Sequence, residues 1–296
     1  MLLPKFAYHA PTTIEEACSL LSHYGTKAKV LAGGTDLLVN MKKKLLSPDQ
    51  IISLNKIEGL SEVSSQNGSG LSIGPLATAA YLAGSKPIQE RVSLLAQGAG
   101  RLGSPLIRNR ATIGGNLVTA RPASDLAPPL LALGAGLILK GPQGDRRFSL
   151  EQFFLGPGQT VIRADEILTG ILIPDPQGPS AGAYLKLGTR KALEIALVNV
   201  ASCLELAADG SIKKARVALG AVAPVPFLAA SAARVLEGFK PKNQDDPVFK
   251  EAAAAAARDS RPITDHRGSA DYRREMVEVL TWRTLKAAYI QLIKNA

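Results

Sequence analysis

The sequence predicts a protein of mixed helices and strands, folded as two domains or as one large domain with an appendage. Its 296 residues exceed what one ordinary hydrophobic core accommodates. Strand-like and helix-like segments alternate as far as Pro174, where a stretch with three prolines and two glycines begins. Beyond that stretch, long strands are followed by long helices. The proline-rich stretch is therefore the best candidate for a linker.

The N-terminal region, through QIISLNKI, predicts a β-α-β-like unit. TTIEEACSLLSHYG has apolar residues at helical spacing, with Thr12 or Thr13 as the N-cap and Gly25 as the end. AKVLAGGTDLL has the pattern of a short buried strand, a glycine turn and a new helix that holds Asp36 in its first turn. QIISLNKI then predicts a second strand.

The C-terminal region predicts a hairpin and two helices. VASCLELAADGSIKKARVALGAV indicates two strands joined at Asp209 and Gly210, a dipeptide that favours hairpin turns. PVFKEAAAAAARDS predicts an alanine-rich helix, and DYRREMVEVLTWRTLKAAYIQLIKN predicts a long amphipathic one in which Trp282 packs. The apolar face of this last helix is expected to contain Met276, Val279, Leu280 and Leu285.

Composition places the chain among soluble globular proteins. Hydrophobic residues make up 46% and charged residues 20%, which excludes general disorder. No apolar run approaches the roughly 18 residues needed to cross a bilayer, and an N-terminus broken by Pro4 and Pro11 is not typical of a signal peptide. The two cysteines cannot form a disulfide framework. We therefore expect a cytoplasmic protein with reduced thiols and no membrane span.

The chain has a formal charge of +10, and its sharpest basic cluster is Lys42 to Lys44. Single-stranded nucleic-acid sites combine such charges with aromatic side chains. Aromatics make up only 5% of the chain, and none lies beside the lysine run. We interpret the run as a solvated helix end, with docking to an acidic partner as the second interpretation, and expect no nucleic-acid partner.

Several catalytic motifs fail when their context is considered. GPSAG, from Gly178 to Gly182, matches the spelling of a nucleophile elbow, but a proline-rich segment precedes it where a strand is required. No G-x-G-x-x-G or Walker sequence is present. Three scattered histidines and two cysteines do not form a metal-binding pattern. We expect no metal site and identify no catalytic acid, base or nucleophile.

Two similar glycine loops carry the strongest signal. LAGGTDL and TIGGNLV each follow apolar residues, and each sets two glycines beside a hydroxyl or amide side chain. Successive bare backbone N–H groups bind anions. Either loop alone is explained as well by a tight turn between strands. Two of them, followed by Asp125 as an acceptor for sugar hydroxyls, favour a cradle for the diphosphate of a nucleotide cofactor.

These segments resemble a known family. AGGTDLL, TIGGNLVTARPASDLAPPLLALGA, ADEILTGILIP and YLKLGTRKALEIALVNVA occur in the same order in the FAD-binding medium subunit of molybdenum hydroxylases, which include xanthine dehydrogenase and carbon monoxide dehydrogenase. The resemblance covers nearly the whole chain. It implies an α+β fold: a PCMH-type FAD-binding domain over 1–176, with two α+β subdomains of about 1–57 and 58–176. A C-terminal α+β domain over 177–296, a small antiparallel sheet with helices, would follow.

The resemblance also implies which residues bind FAD. Gly33, Gly34 and Thr35 would hold the diphosphate, Leu102 and Gly103 would lie by the adenine, and the family often has an aromatic residue where Leu102 stands. Asp125 would take hydroxyls of the FAD chain, Leu168 would lie against the isoalloxazine, and Lys186 would lie close to the flavin ring. The full implied set is Lys29, Val30, Leu31, Ala32, Gly33, Gly34, Thr35, Asp36, Leu37, Leu102, Gly103, Ala111, Thr112, Gly115, Asn116, Asp125, Leu168 and Lys186.

The implied activity is electron transfer within a larger complex. A large subunit would carry molybdopterin and a small one two [2Fe–2S] clusters, in a dimer of heterotrimers, with NAD⁺ or another carrier as acceptor. The chain would not hydroxylate a substrate alone. It lacks the cysteine-rich [4Fe–4S] loop of 4-hydroxybenzoyl-CoA reductase, which disfavours that branch. Two alternatives stay open: a stand-alone FAD-dependent oxidoreductase with its own organic substrate, and a non-catalytic nucleotide-binding protein.

Overall fold

A computed structural model describes residues 2–66, 70–190 and 193–295. Three sheets and the helices packed on them account for most of this part of the chain. None of the helices in it combines the length and apolarity needed to cross a membrane.

The first sheet is parallel and lies at the N-terminus. Its strand order is β1-β3-β2, and helix α1 begins where the Thr13 hydroxyl accepts a hydrogen bond from the Glu16 N–H at 3.1 Å. Thr13 is thus the N-cap and Gly25 the C-cap, as predicted. The elements are β1 (Ala7–His9), α1 (Ile14–Tyr24), β2 (Ala28–Leu31), α2 (Leu37–Lys42) and β3 (Gln50–Ser53).

The second sheet is antiparallel, with five strands in the order β4-β5-β10-β6-β7. A group of short helices lies between β5 and β6 in the chain, and a two-stranded ribbon, β8 and β9, precedes β10. The strands are β4 (Val63–Gln66), β5 (Gly70–Ile73), β6 (Gly136–Gly141), β7 (Gly144–Ser149), β8 (Phe154–Gly156), β9 (Gln159–Thr160) and β10 (Ile167–Ile173). The helices are α3 (Ala79–Gly84), α4 (Lys86–Arg91), α5 (Ser93–Arg101), α6 (Pro105–Arg108), α7 (Ile113–Val118) and α8 (Ala127–Ala132).

The third sheet is the C-terminal one, antiparallel in the order β11-β12-β13-β14, with the predicted hairpin between β12 and β13. Helices α10 and α11 pack on each other, and α11 lies against β11 and β12. The elements are β11 (Ser180–Leu187), β12 (Val198–Leu206), β13 (Ile212–Gly220), β14 (Phe227–Leu228), α9 (Ala230–Leu236), α10 (Val248–Asp259) and α11 (Ala270–Asn295).

This architecture confirms the predicted α+β fold. The proposed domain limits at 57/58 and 176/177 fall in the loops between successive sheets, and the division itself stays a prediction. The second and third sheets share one core, because Tyr184, Ala201 and Ala218 of the C-terminal sheet pack into the cluster that covers the second sheet.

Three local expectations need correction. TIGGNLV, expected to form a second glycine turn, begins helix α7 at Ile113, because Thr112 caps it and Leu117 is fully buried. The apolar face of α11 contains Val277 in its core, not Val279. Strand β1 has no counterpart among the predicted strands, since three residues are too few to show alternation.

Candidate cofactor site

A cavity of about 470 Å³ lies between the N-terminal parallel sheet and the second sheet. The two glycine loops form one side of it, and the segment that leads into β10 forms another. Most of the residues implied by the resemblance meet here. Those that line the cavity are Lys29, Val30, Ala32, Gly33, Gly34, Thr35, Asp36, Leu37, Leu102, Ala111, Thr112, Gly115, Asn116 and Leu168.

The first glycine loop offers free backbone donors. The loop leaves β2 after Leu31 and turns at Gly34, whose φ of +76° is a conformation that favours glycine. Among the residues that the structure describes, none accepts a hydrogen bond from the four backbone N–H groups between Gly33 and Asp36. These N–H groups belong to successive residues on the cavity wall, the arrangement that binds anions.

The second glycine loop works differently from the first. The Gly114 N–H donates to the Pro75 carbonyl oxygen at 2.8 Å, and the Gly115 N–H donates to the Thr112 hydroxyl at 3.1 Å. The expectation of bare N–H groups is therefore wrong for this loop. This loop offers side-chain donors to the cavity instead. No described residue accepts a hydrogen bond from the Thr112 hydroxyl or from Asn116 Nδ2, so both groups can donate to a ligand.

Strand β10 supplies the opposite wall. Leu168 is 4% exposed and faces the cavity beside a β-bulge between Leu168 and Gly170. Glu166, also buried on this wall, accepts hydrogen bonds from Arg146 Nη1 at 2.7 and 2.8 Å. The ion pair neutralises a carboxylate that would otherwise repel an anionic ligand. The sequence offered no sign of this pair, since its members are 20 residues apart.

The four remaining implied residues lie outside the cavity lining. Leu31 and Gly103 are chain neighbours of lining residues, and Gly103 has a φ of +49°. Asp125 and Lys186 form a buried ion pair, with 2.7 Å between Oδ2 and Nζ and side chains 9% and 7% exposed. Tyr184 donates its hydroxyl to Asp125 Oδ1 at 2.8 Å. Direct contact of these four residues with a cofactor stays a prediction.

Burial dominates the electrostatics of this pair. Desolvation raises the pKa of Asp125, and the Lys186 ammonium opposes that rise. Desolvation and the neighbouring Asp125 carboxylate raise the pKa of Tyr184 well above its ordinary value, so Tyr184 is a fixed hydrogen-bond donor. Tyr184 and Lys186 lie two positions apart on β11, hence on one face of the strand, which is the signal that could have revealed Tyr184.

The donor set fits a dinucleotide with an apolar ring system. Free N–H groups, a hydroxyl and an amide suit a diphosphate, and no carboxylate other than Asp36 and the paired Glu166 reaches the described wall. A β-carbon on Gly33 would stand 1.9 Å from the Arg110 carbonyl oxygen, so only glycine allows the loops to approach this closely. Leu21, Leu54 and Leu76 give the cavity apolar surface for a flat ring.

Comparison with known families agrees with this geometry. Residues 4–176 match the family described as the FAD binding domain in molybdopterin dehydrogenase. Residues 183–288 match the CO dehydrogenase flavoprotein C-terminal domain. The chain belongs to the FAD-binding medium subunits of molybdenum hydroxylases. FAD is thus the cofactor of this medium subunit, and it is a flavoprotein of the dehydrogenase type.

Relatives of the medium subunit match it over almost their full length. The carbon monoxide dehydrogenase medium chain of Hydrogenophaga pseudoflava is 34% identical over 98% of this chain and 99% of that one. The glyceraldehyde dehydrogenase medium chain of Sulfolobus acidocaldarius is 33% identical over 97% and 99%.

A solved structure has the same fold. A chain of the Hydrogenophaga pseudoflava carbon monoxide dehydrogenase, in a form that lacks the Mo-pyranopterin moiety of the molybdenum cofactor, superposes with a TM-score of 0.93. It is 33% identical, with 99% of this chain and 100% of that chain covered. The α+β architecture of this medium subunit is therefore that of the carbon monoxide dehydrogenase flavoprotein.

Proposed function

We propose that this medium subunit holds FAD in the cavity and carries electrons between a [2Fe–2S] subunit and a soluble acceptor. Bound FAD supplies the capacity to take electrons singly from the clusters and to give up two together to NAD⁺ or another carrier. Hydroxylation belongs to a large molybdopterin subunit, so the isolated chain does not hydroxylate. The complex is a cytoplasmic dimer of heterotrimers.

The chain's own residues bind and orient the cofactor. The N–H groups from Gly33 to Asp36 donate to the diphosphate oxygens, and the Thr112 hydroxyl and the Asn116 amide donate from the facing loop. Such donors hold an anion without a mobile side-chain cation. Leu168, on the opposite wall, packs against the isoalloxazine and excludes water from it.

The buried ion pair of Asp125 and Lys186 is electrically neutral as a whole. Asp125 uses one oxygen for Lys186 and one for Tyr184, and a carboxylate has about four acceptor positions, so it can also accept from hydroxyls of the FAD chain. The resemblance assigns Lys186 to the flavin side of the site. Because Asp125 neutralises it, the pair adds no net charge beside the ring.

The observation that carries this proposal is the contact between the loops. The Gly33 and Arg110 backbones meet so closely that a β-carbon has no room, and the N–H groups left free by this packing lie on the cavity wall. Gly33, Gly34 and Thr35 are half-buried and Asp36 is exposed, so water can satisfy their N–H groups and an anion in the cavity can replace that water.

The test is to purify the native protein with its partners and record the visible spectrum and subunit composition. We expect flavin absorption, a larger and a smaller partner, and reduction of a soluble acceptor that stops when FAD is removed. Gly34→Val and Gly115→Val should reduce the flavin content of the full chain several-fold. Gly84→Val is the matched control, because Gly84 is exposed with open space around its α-carbon.

Other outcomes would contradict the proposal. A single yellow chain that turns over an organic substrate without partners would identify a stand-alone oxidoreductase. A chain that stays colourless after FAD addition would remove the cofactor assignment from the cavity. Equal flavin content in Gly34→Val and Gly84→Val would show that the diphosphate lies elsewhere.

A further inference from the structure

A chain of hydrogen bonds, partly buried at its first bond and buried after it, leads from the cavity to the C-terminal sheet. It starts at Asn116, the side chain on α7 that lines the cavity. The Asn116 Oδ1 atom accepts a hydrogen bond from the Ser124 hydroxyl at 2.5 Å. With its oxygen held in this way, the amide has one fixed orientation, and its Nδ2 group has no acceptor among the described residues.

Ser124 is in turn held from two sides. Its hydroxyl oxygen accepts a hydrogen bond from the Ala127 N–H at 3.1 Å, at the start of α8. This bond orients the hydroxyl so that its proton is donated to Asn116. Its carbonyl oxygen accepts one from Asn199 Nδ2 at 2.9 Å. Ser124 is 3% exposed and Asn199 is fully buried, so neither bond competes with water.

Asn199 belongs to β12 of the C-terminal sheet, 75 residues from Ser124. The structure places it tightly, since a β-carbon on Gly220 would stand 2.0 Å from Asn199 Oδ1. The Asn199 Nδ2 group also donates to the Tyr184 hydroxyl at 3.1 Å. One amide thus joins β11, β12 and the loop that follows α7.

The same loop has another attachment to the C-terminal sheet. The Ala221 N–H donates to the Pro122 carbonyl oxygen at 2.7 Å, and Ala221 has a φ of +64°, a strained value for a residue with a β-carbon. The loop is therefore bound at three of its residues. Ala221, which follows β13, binds it at Pro122. Asn199 of β12 binds it at Ser124, and Lys186 of β11 binds it at Asp125. The cavity wall is fixed from behind.

We propose that Ser124 and Asn199 are positioning residues that orient the Asn116 amide towards FAD, so that the C-terminal sheet contributes to cofactor affinity. The proposal rests on the proposed function, because Asn116 acts only if FAD occupies the cavity. Neither Ser124 nor Asn199 lines the cavity, and their effect passes through Asn116.

The test is a double-mutant cycle on FAD affinity, measured by titrating FAD into the full chain after removal of bound flavin. We expect Asn116→Ala to weaken binding about tenfold, the size of one good hydrogen bond, and Ser124→Ala to do nearly the same. In the Asn116→Ala background, Ser124→Ala should have almost no further effect, because coupled residues are not additive. If Ser124 only stabilised the fold, the loss of FAD affinity in Ser124→Ala would add in full to the loss in Asn116→Ala.

A second arm uses Asn199→Leu, which keeps the size of the side chain but removes both donors. It should weaken FAD binding in the wild type and less in Asn116→Ala, where only the part of the loss that passes through Tyr184 and Asp125 remains. Ser260→Ala is the matched control for Ser124→Ala. Ser260 is as buried as Ser124, and its hydroxyl donates to the Ala257 carbonyl oxygen at 2.7 Å, remote from this loop. It should leave FAD affinity unchanged.

The outcomes separate this inference from the proposed function. If the wild type binds FAD but the losses in the cycle add, or Asn116→Ala has no effect, the positioning role is overturned and the cavity assignment stands. If Gly34→Val leaves FAD affinity unchanged, both are overturned. Coupling of Ser124 and Asn199 to Asn116, with Ser260→Ala neutral, supports the inference.

Discussion

The carbonyl oxygen of Arg110 lies 1.9 Å from the point where a β-carbon on Gly33 would stand. The nearest atoms to this point are main-chain atoms of Arg110 and Ala111, so no side-chain rotation could make room for a β-carbon. The loop after β2 and the loop before α7 are thus in direct backbone contact, and the cavity begins at their junction. A glycine was expected here for its free N–H group, but the structure adds a steric reason for it.

Gly33→Ala should abolish stable FAD binding in the full chain. The two backbones must separate by more than an ångström to admit the methyl group, which would displace the N–H groups on the wall. We expect flavin content to fall at least tenfold and the apoprotein to lose about 1–3 kcal/mol of unfolding free energy. The measurements are the flavin-to-protein ratio and urea unfolding. Normal flavin content in Gly33→Ala, alongside normal content in Gly84→Ala, would contradict this.

Thr112→Val should remove two roles of one hydroxyl together. Thr112 caps α7 through the Gly115 N–H, and its own hydroxyl proton, which has no acceptor among the described residues, can donate to bound FAD. Valine has the same shape but neither function, so unfolding free energy should fall by about 1 kcal/mol and FAD affinity should fall as well. Thr112→Ser should retain both.

The control for Thr112 is Thr13→Val. Thr13 caps α1 in the same way through the Glu16 N–H, but it does not line the cavity. Thr13→Val should lose about the same unfolding free energy as Thr112→Val and keep its full flavin content. Equal flavin loss in the two valine variants would show that the effect is global.

The glycine loops were predictable from sequence because their signal is local. A strand, two glycines and a hydroxyl residue lie within a few positions, so a short window contains the whole pattern. The same window misled at TIGGNLV. Glycine disfavours helices, but the Thr112 cap and the burial of Ile113 and Leu117 outweigh that preference.

The rest of the site depends on contacts between distant segments. Asp125 was identified from its place after the glycine loops, and Lys186 by resemblance alone, yet nothing joined the two, because 61 residues separate the members of their ion pair. Nothing in local periodicity reports that Asn199 reaches Ser124. Such partners become visible only when β11 and β12 pack behind the loop.

Lys186→Met should destabilise the apoprotein strongly. The substitution leaves the Asp125 carboxylate buried without its cation, which typically costs about 3–5 kcal/mol of unfolding free energy. Asp125→Asn in the same chain should recover a large part of the loss, because it removes the stranded charge. Lys213→Met is the control, since its pair with Glu205 is about half exposed at the lysine, and it should cost under about 1 kcal/mol. Equal losses for the two lysines would refute this reading.

Asp265→Asn should remove an acid-sensitive part of the stability. Hydrogen bonds from Arg267, and one from the buried Arg273 at 2.6 Å, hold the pKa of the Asp265 carboxyl well below its ordinary value of 3.8. A carboxylate with a lowered folded-state pKa stabilises the fold fully above its unfolded pKa, and this contribution disappears as pH falls through 3.8 towards the folded value.

The gap in unfolding free energy between wild type and Asp265→Asn should therefore be constant from about pH 7 down to about pH 5 and should shrink below about pH 4. Urea unfolding at a series of pH values measures it. Asp271→Asn, whose side chain is 94% exposed, should change stability by less than about 0.5 kcal/mol. A gap that stays the same down to about pH 3 would mean that the two arginines do not favour the ionised form of Asp265.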